Sequence, residues 1–176
     1  KYHLVTTNVP YLSRGNQTGE MQEWLSEHYP RAKTDLATAF VKRCLNLSRS
    51  EESVNGAISA VAPQNWLFLT SYKKLRQQLL KQRSWKFVAR LGPNAFETIG
   101  GEVVNVGLYT ISRANPPDSH ELRGIDANEG DDHESKKNIL LREEVVELSQ
   151  TDQLDNPDSR ILLFDLKHSE LLEDYA

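Results

Sequence analysis

The sequence predicts an α/β fold with strands and helices in alternation, on the strength of three stretches. Leu4 to Thr7 is a short strand-like run that stops abruptly at a polar loop, Asn8-Val9-Pro10-Tyr11. Gly56 to Ala62 has the length and apolar content of a buried parallel strand. Between them, Leu36, Phe40 and Cys44 share one helical line with Ala37, Val41 and Leu45 beside it, the mark of a well-buried helix. Open α/β sheets place their chemistry in loops at the carboxyl ends of parallel strands, so residues 8–11 are the first site candidate.

The remaining elements follow in order. Leu12 to Thr18 is polar and reads as a mobile loop near a pocket mouth, where Arg14 is either a phosphate contact or a plain surface arginine. Glu20 to His28 sets Met21, Trp24, Leu25 and His28 on one helical face, and Pro30 ends it. Thr34 or Asp35 caps the helix that runs to about Ser48. Pro63 to Phe68 follows the second strand on the functional edge, with Trp66 and Phe68 expected as packing. Thr70 or Ser71 caps a helix to about Arg83, and Trp85 to Leu91 alternates as a strand. After the glycine-flanked loop of residues 92–101, Glu102 to Ser112 alternates again and is expected at or near a sheet edge. Asn115-Pro116-Pro117-Asp118 breaks any regular element, and residues 114–137 are expected to be an acidic linker or disordered loop. Ile139–Leu148 and Ile161–Leu166 allow two strands, or a short helix and a strand. Ser169 to Tyr175 looks like the start of a helix.

Charge divides the chain. Residues 1–117 hold 15 Lys/Arg against 8 Asp/Glu, and residues 118–176 hold 6 against 17. Lys73, Lys74, Arg76, Lys81, Arg83, Lys86 and Arg90 fall within Ser71 to Phe96 without a single acid until Glu97. Such a stretch either lies along a phosphate backbone, as in DNA binding, or forms the solvated face of an amphipathic helix. The lone cysteine, Cys44, excludes an intrachain disulfide, is expected in the core and fits a reducing cytoplasm. No apolar run approaches the roughly 18 residues needed to span a bilayer, and no signal peptide opens the sequence. His120 and His133 match no ligand spacing, so no metal site is expected.

The 8–11 loop has a readable chemistry. Pro10 biases Val9 toward an extended conformation that turns its carbonyl out of the strand end. Asn8 supplies a second carbonyl, and two acceptors side by side suit an exocyclic amino group. Tyr11 offers a face for a planar base, so the loop suits a nucleobase drawn out of its helix.

Asn-Val-Pro-Tyr resembles the Asn-Pro-Pro-Tyr catalytic motif of N6-adenine DNA methyltransferases, and the chain is similar to large members of that family from phage-defence and restriction-modification systems. The resembling runs are TNVPYLSRGNQ (Thr7 to Gln17), YPRAKTDLATAFVKRCLNL (Tyr29 to Leu47), GAISAVAPQNWLF (Gly56 to Phe68), YKKLRQQLL (Tyr72 to Leu80) and FETIGGEVVNVGLYTISR (Phe96 to Arg113). Val9 departs from the family's proline at a position that contributes only its backbone carbonyl.

The resemblance implies the C-terminal half of a class I (Rossmann-like) S-adenosyl-L-methionine-dependent methyltransferase sheet with flanking helices. Residues 1–113 would be that half and residues 138–176 a segment leading to a target-recognition domain. It implies catalytic roles for Asn8, Val9, Pro10 and Tyr11, a base contact for Phe96, and cofactor-side positions for Asp35 and Leu36. Capping explains Asp35 equally well, and sealing the loop is the other explanation for Phe96. DNA-contact candidates are Arg14, Lys73, Lys74 and Arg76. The family binds its cofactor through a glycine-rich turn, and no G-x-G occurs here. The expectation is therefore a fragment that is inactive alone, works with the upstream half of the same enzyme, and self-associates through an uncovered sheet edge. The alternatives are a non-catalytic DNA-binding module and an amino-methyltransferase acting on cytosine, RNA or protein.

Overall fold

The computed structural model describes residues 1–51, 54–96 and 104–164. Strands β1 (Leu4–Asn8), β2 (Ala57–Pro63), β3 (Ser84–Gly92), β4 (Val106–Ser112), β5 (Glu121–Asp126) and β6 (Val146–Ser149) form one sheet in the order β1-β2-β4-β3-β5-β6. β1 pairs parallel with β2, and β3 with β5; β4 runs antiparallel to both β2 and β3, and β6 to β5. The alternating β4 sequence was expected near an edge, yet it sits between β2 and β3. Its partial polarity reflects one half-covered face, not an edge: Leu108 and Thr110 are half-buried while Tyr109 and Ile111 are fully buried.

Helices α1 (Gly19–His28), α2 (Leu36–Leu47) and α3 (Lys73–Gln82) fill the connections along β1–β3. Thr18 caps α1 by accepting from the Met21 N–H, and Asp35 caps α2 by accepting from the Ala37 N–H at 2.8 Å. α3 has no side-chain cap: Thr70 and Ser71 lie in the 3-10 turn Thr70–Tyr72 that leads into it, and the Thr70 hydroxyl donates to Asp158 instead. α2 and α3 cover one sheet face, where Ile58, Leu75, Leu79, Trp85, Val88 and Tyr109 form the main core with Cys44 among them. Trp66 packs in it against Trp85 at 5.3 Å and Tyr109 at 5.0 Å. Burying a side chain of this size stabilises by roughly 1.5–3 kcal/mol, so this layer dominates stability.

The stretch expected to be an acidic linker holds a strand. Within residues 114–137, β5 buries Leu122 at 0% and Ile125 at 6% exposure against the sheet. Gly124 lets Leu163 approach so closely that a Cβ would meet its Cδ2. Two apolar residues separated by charge are too faint a sequence pattern, and pairing with β3 supplies what the pattern lacks. α4 (His133–Arg142), opened by a capping box at Asp132 and Ser135, places Ile139 and Leu140 against Ala89, Leu91 and Ala127 on the other sheet face. A turn, α5 (Asp152–Asp155), follows β6. Residues 161–164, expected as strand, pack Ile161 and Leu163 into the core as irregular chain. The helix expected at Ser169 to Tyr175 lies outside the described residues.

Candidate functional site

The carboxyl ends of β1, β2, β3 and β5 and the start of β4 converge on one edge of the sheet. Asn8 is the last residue of β1 and is exposed, whereas Val9 is buried at 3% exposure and its N–H donates to the Val61 carbonyl at 3.2 Å. That bond extends the parallel ladder by one residue beyond the pair Asn8↔Val61. The next ladder bond would run from the N–H of residue 63 to the Val9 carbonyl, and residue 63 is proline. Among the described residues nothing donates to the Val9 carbonyl. Pro63, which the sequence places on the functional edge without a role of its own, is therefore what frees this acceptor; only the strand register reveals it.

Tyr11 is half-buried against the main core, and its hydroxyl donates to Asn8 Oδ1 at 3.4 Å. Burial lifts the Tyr11 phenol above its ordinary pKa, which keeps it protonated and donating. A carbonyl oxygen has two lone pairs, so this long contact orients the Asn8 amide and leaves room for a second donor. The loop is held from behind as well. The Arg14 N–H donates to the Thr34 carbonyl and the Leu36 N–H to the Leu12 carbonyl, each at 3.0 Å, which ties residues 12–14 to the start of α2.

Across the same edge, Gln64 braces three strand ends. Its N–H donates to Asn105 at 2.8 Å, its Oε1 accepts from the Gly92 N–H at 3.3 Å, and its Nε2 donates to Asn128 Oδ1 at 3.3 Å. Gly92 adopts φ +65, and a Cβ there would collide with Asn128 Oδ1, so only glycine suits this close approach. The brace sets the root of the turn carrying Phe96, which is 55% exposed. β1 and β3 are three ladder spacings apart, roughly 14 Å, so the loops carrying Tyr11 and Phe96 leave the edge from well-separated strands.

The other candidates separate. Asp35 is committed to capping α2, and burial, with a smaller contribution from the Asp35 charge, pushes the Tyr72 phenol up to about 12. Leu36 is half-buried in the first turn of α2. Arg14 is half-buried, and its Nη1 donates to the Ser26 hydroxyl at a long 3.5 Å. Lys73 forms an ion pair with Asp158 at 3.1 Å, and Lys74 is exposed.

Arg76 is not a DNA contact. It is 0% exposed, and its guanidinium donates to the carbonyls of Trp66, Leu69, Asp158 and Ser159 at 2.7–3.0 Å. Desolvation lowers its pKa to about 10 although Asp158 opposes the shift. Its place beside Leu75, Leu79 and Leu80 on α3 turns it inward, where it ties residues 66–69 to the 158–159 turn. Arg90 likewise pairs with Asp126 at 2.8 Å and lies over the Phe68 ring. No group of His, Cys, Asp and Glu able to hold a metal occurs among the described residues.

A family model described as Eco57I restriction-modification methylase matches residues 1–96, a span that includes the 8–11 loop, Pro63 and Phe96. The chain belongs to this family. It is 33% identical over 143 residues to the adenine-specific methyltransferase BrxX of Escherichia coli O9:H4 (strain HS), covering 80% of this chain and 11% of that protein. Its fold is similar to the type ISP restriction-modification enzyme LlaGI solved with a DNA substrate mimic, at TM-score 0.61 and 14% identity over 89% of this chain and 17% of that one. It is also similar to a Listeria monocytogenes chain described as a class I S-adenosylmethionine-dependent methyltransferase, at TM-score 0.53 and 11% identity over 79% of this chain and 41% of that one. The mixed six-stranded sheet is thus of the class I methyltransferase kind. The chain spans about a tenth of the length of the curated relatives it matches.

Beside Asn8 an open groove of about 490 Å³ is lined by Thr6, Thr7, Ser59, Ala60, Val61 and Leu108, whereas the cofactor-side candidate Asp35 borders little space. The crevice beside Asp35, Pro63, Asn65 and Trp66 holds about 30 Å³, an order of magnitude below the volume of small-molecule pockets. What the edge offers is a pair of acceptors flanked by an aromatic ring.

Proposed function

We propose that this chain forms the amine-holding part of a DNA N6-adenine methyltransferase in a restriction-modification or phage-defence enzyme of its relatives' length. The substrate is a flipped adenine in DNA, and S-adenosyl-L-methionine supplies the methyl group. The observation that carries the reading is the pair of acceptors at the end of β1: Asn8 Oδ1, oriented by Tyr11, and the Val9 carbonyl, left without a ladder partner by Pro63. An adenine amino group has two N–H donors, and giving both to these oxygens leaves the nitrogen lone pair more available for attack. Tyr11 packs on one side of the base and Phe96 borders it from the far side of the edge. Asp35 and Leu36 lie on the cofactor side, and DNA phosphates meet Arg14, Lys73 and Lys74. Fixed acceptors lower the barrier by positioning, a contribution of several kcal/mol when reacting atoms are aligned.

The test uses the full-length enzyme and cofactor carrying a labelled methyl group. Asn8→Ala should reduce turnover on adenine-containing DNA by roughly 10²–10³ while cofactor affinity holds. Near-normal turnover in that variant would refute the assignment. Label appearing in cytosine, RNA or protein in place of adenine would replace the substrate.

A further inference from the structure

The helical layer carries two adjoining grooves that the strand-end chemistry does not use. One, of about 410 Å³, runs between α1 and α2 and is lined by Trp24, His28, Phe40 and Arg43. The other, of about 350 Å³, runs between α2 and α3 and is lined by Arg31, Lys42, Asn46 and Gln78. His28, Tyr29 and Asn46 border both, so the two form one continuous surface. Each has the volume of a small-ligand site.

Their walls differ in chemistry. Trp24 is 51% exposed and Phe40 40% exposed, large apolar areas to leave in water. Trp24 is already stacked on His28 at 4.5 Å and 15°, and the His28 Nδ1 is fixed to the Trp24 carbonyl at 2.9 Å, which holds the indole as a rigid platform. On the other side, α2 and α3 contain no Asp or Glu at all. The side chains of Arg31, Lys42 and Arg43 make no hydrogen bond or ion pair among the described residues, whereas Lys73 and Arg90 both have acidic partners. α1, which borders the aromatic groove, carries Glu20, Glu23 and Glu27.

We propose that these paired grooves bind single-stranded nucleic acid, with a base stacked on the Trp24 platform and the adjoining phosphates held by Arg31, Lys42 and Arg43. Exposed rings beside a cationic track are the combination that holds single strands without reading sequence. A duplex presents no free base face to Trp24, and an acidic peptide has no ring to cover it. Lys42 supports the reading: burial, then the nearby Arg83, Arg31 and Arg113, lowers its pKa, and a bound phosphate relieves that crowding. The proposal does not depend on the methyl-transfer reading, since Asn8 and Tyr11 take no part in it.

Within this 176-residue chain Trp66 and Trp85 are buried at 1% and 0% exposure, so the chain's solvent-sensitive tryptophan emission comes from Trp24. Adding a twelve-nucleotide oligothymidylate to the protein should quench that emission. Trp24→Leu should weaken binding, measured by anisotropy of a labelled strand, roughly tenfold. The double variant Arg31→Gln/Lys42→Gln should weaken it at least tenfold and reduce the slope of log K against log salt by about 1. Asn8→Ala should bind the strand as the parent does, so loss of methylation and loss of this binding are separable. Circular dichroism of each variant checks that the fold is kept. The proposal is overturned if the double variant binds as tightly as the parent. It is equally overturned if a duplex of the same length, polyglutamate, or free thymidine monophosphate competes as well as the strand.

Discussion

The 8–11 loop and the basic stretch beginning at Lys73 were both conspicuous in the sequence, and the fold treats them oppositely. The loop stays together. Asn8, Val9, Pro10 and Tyr11 are consecutive, and the end of β1 delivers them as one unit with Asn8 exposed and Tyr11 beside it. The basic stretch is dispersed: Arg76 goes into the core, Lys73 to Asp158, Arg90 to Asp126 and the half-buried Arg83 to backbone carbonyls, while Lys74, Lys81 and Lys86 are exposed without an ionic partner among the described residues. A function built from neighbouring residues survives folding intact, whereas a run of like charges spanning a helix and a strand is divided among their faces.

The sharpest way to break this comparison is Asn8→Ala, with its expected loss of two to three orders of magnitude in turnover, set beside Lys74→Ala in the same full-length enzyme. An exposed lysine of this kind should change stability by less than about 0.5 kcal/mol. Equal losses of turnover would erase the distinction.

Next in size is Arg76→Ala. It takes a donor from four backbone carbonyls, of which Leu69 keeps the Tyr72 N–H, and an orphaned buried polar group costs about 1–3 kcal/mol. A total near 3 kcal/mol should lower Tm by roughly 6–12 °C in a chain of this size, as thermal unfolding would show. A melting temperature unchanged by Arg76→Ala would return that residue to the surface.

Pro63→Ala should be smaller and more selective. It restores an N–H able to bond the Val9 carbonyl and compete with a substrate amine, so turnover should fall roughly tenfold, about 1.4 kcal/mol, with Tm little changed. Unaltered turnover would mean that the free carbonyl has no role. Smallest is an effect of association: β1 is an edge strand of the described sheet, and a bare edge pairs readily with another chain. Sedimentation of the 176-residue chain should show concentration-dependent dimers, and a strict monomer at high concentration would contradict this.

Local patterns made much of the fold legible. The α2 helix and its Asp35 cap, the β2 strand and the alternation of β3 can each be seen within a dozen residues, because period and capping are short-range properties. β5 could not, since its apolar content is two residues in an acidic setting, and its strand form depends on β3 lying alongside. The interior place of β4 was hidden for a similar reason: a half-covered central strand and an edge strand alternate alike.

The sequence by itself determined the character of the 8–11 loop, because proline, asparagine and tyrosine carry their conformational and hydrogen-bonding preferences with them. Only the tertiary structure decided that Pro63 would silence the ladder partner of Val9, that Gln64 would brace Gly92 to Asn128, and that Arg76 would be internal. Each of those outcomes joins residues tens of positions apart, and strand register and burial, not local preference, set which atoms meet.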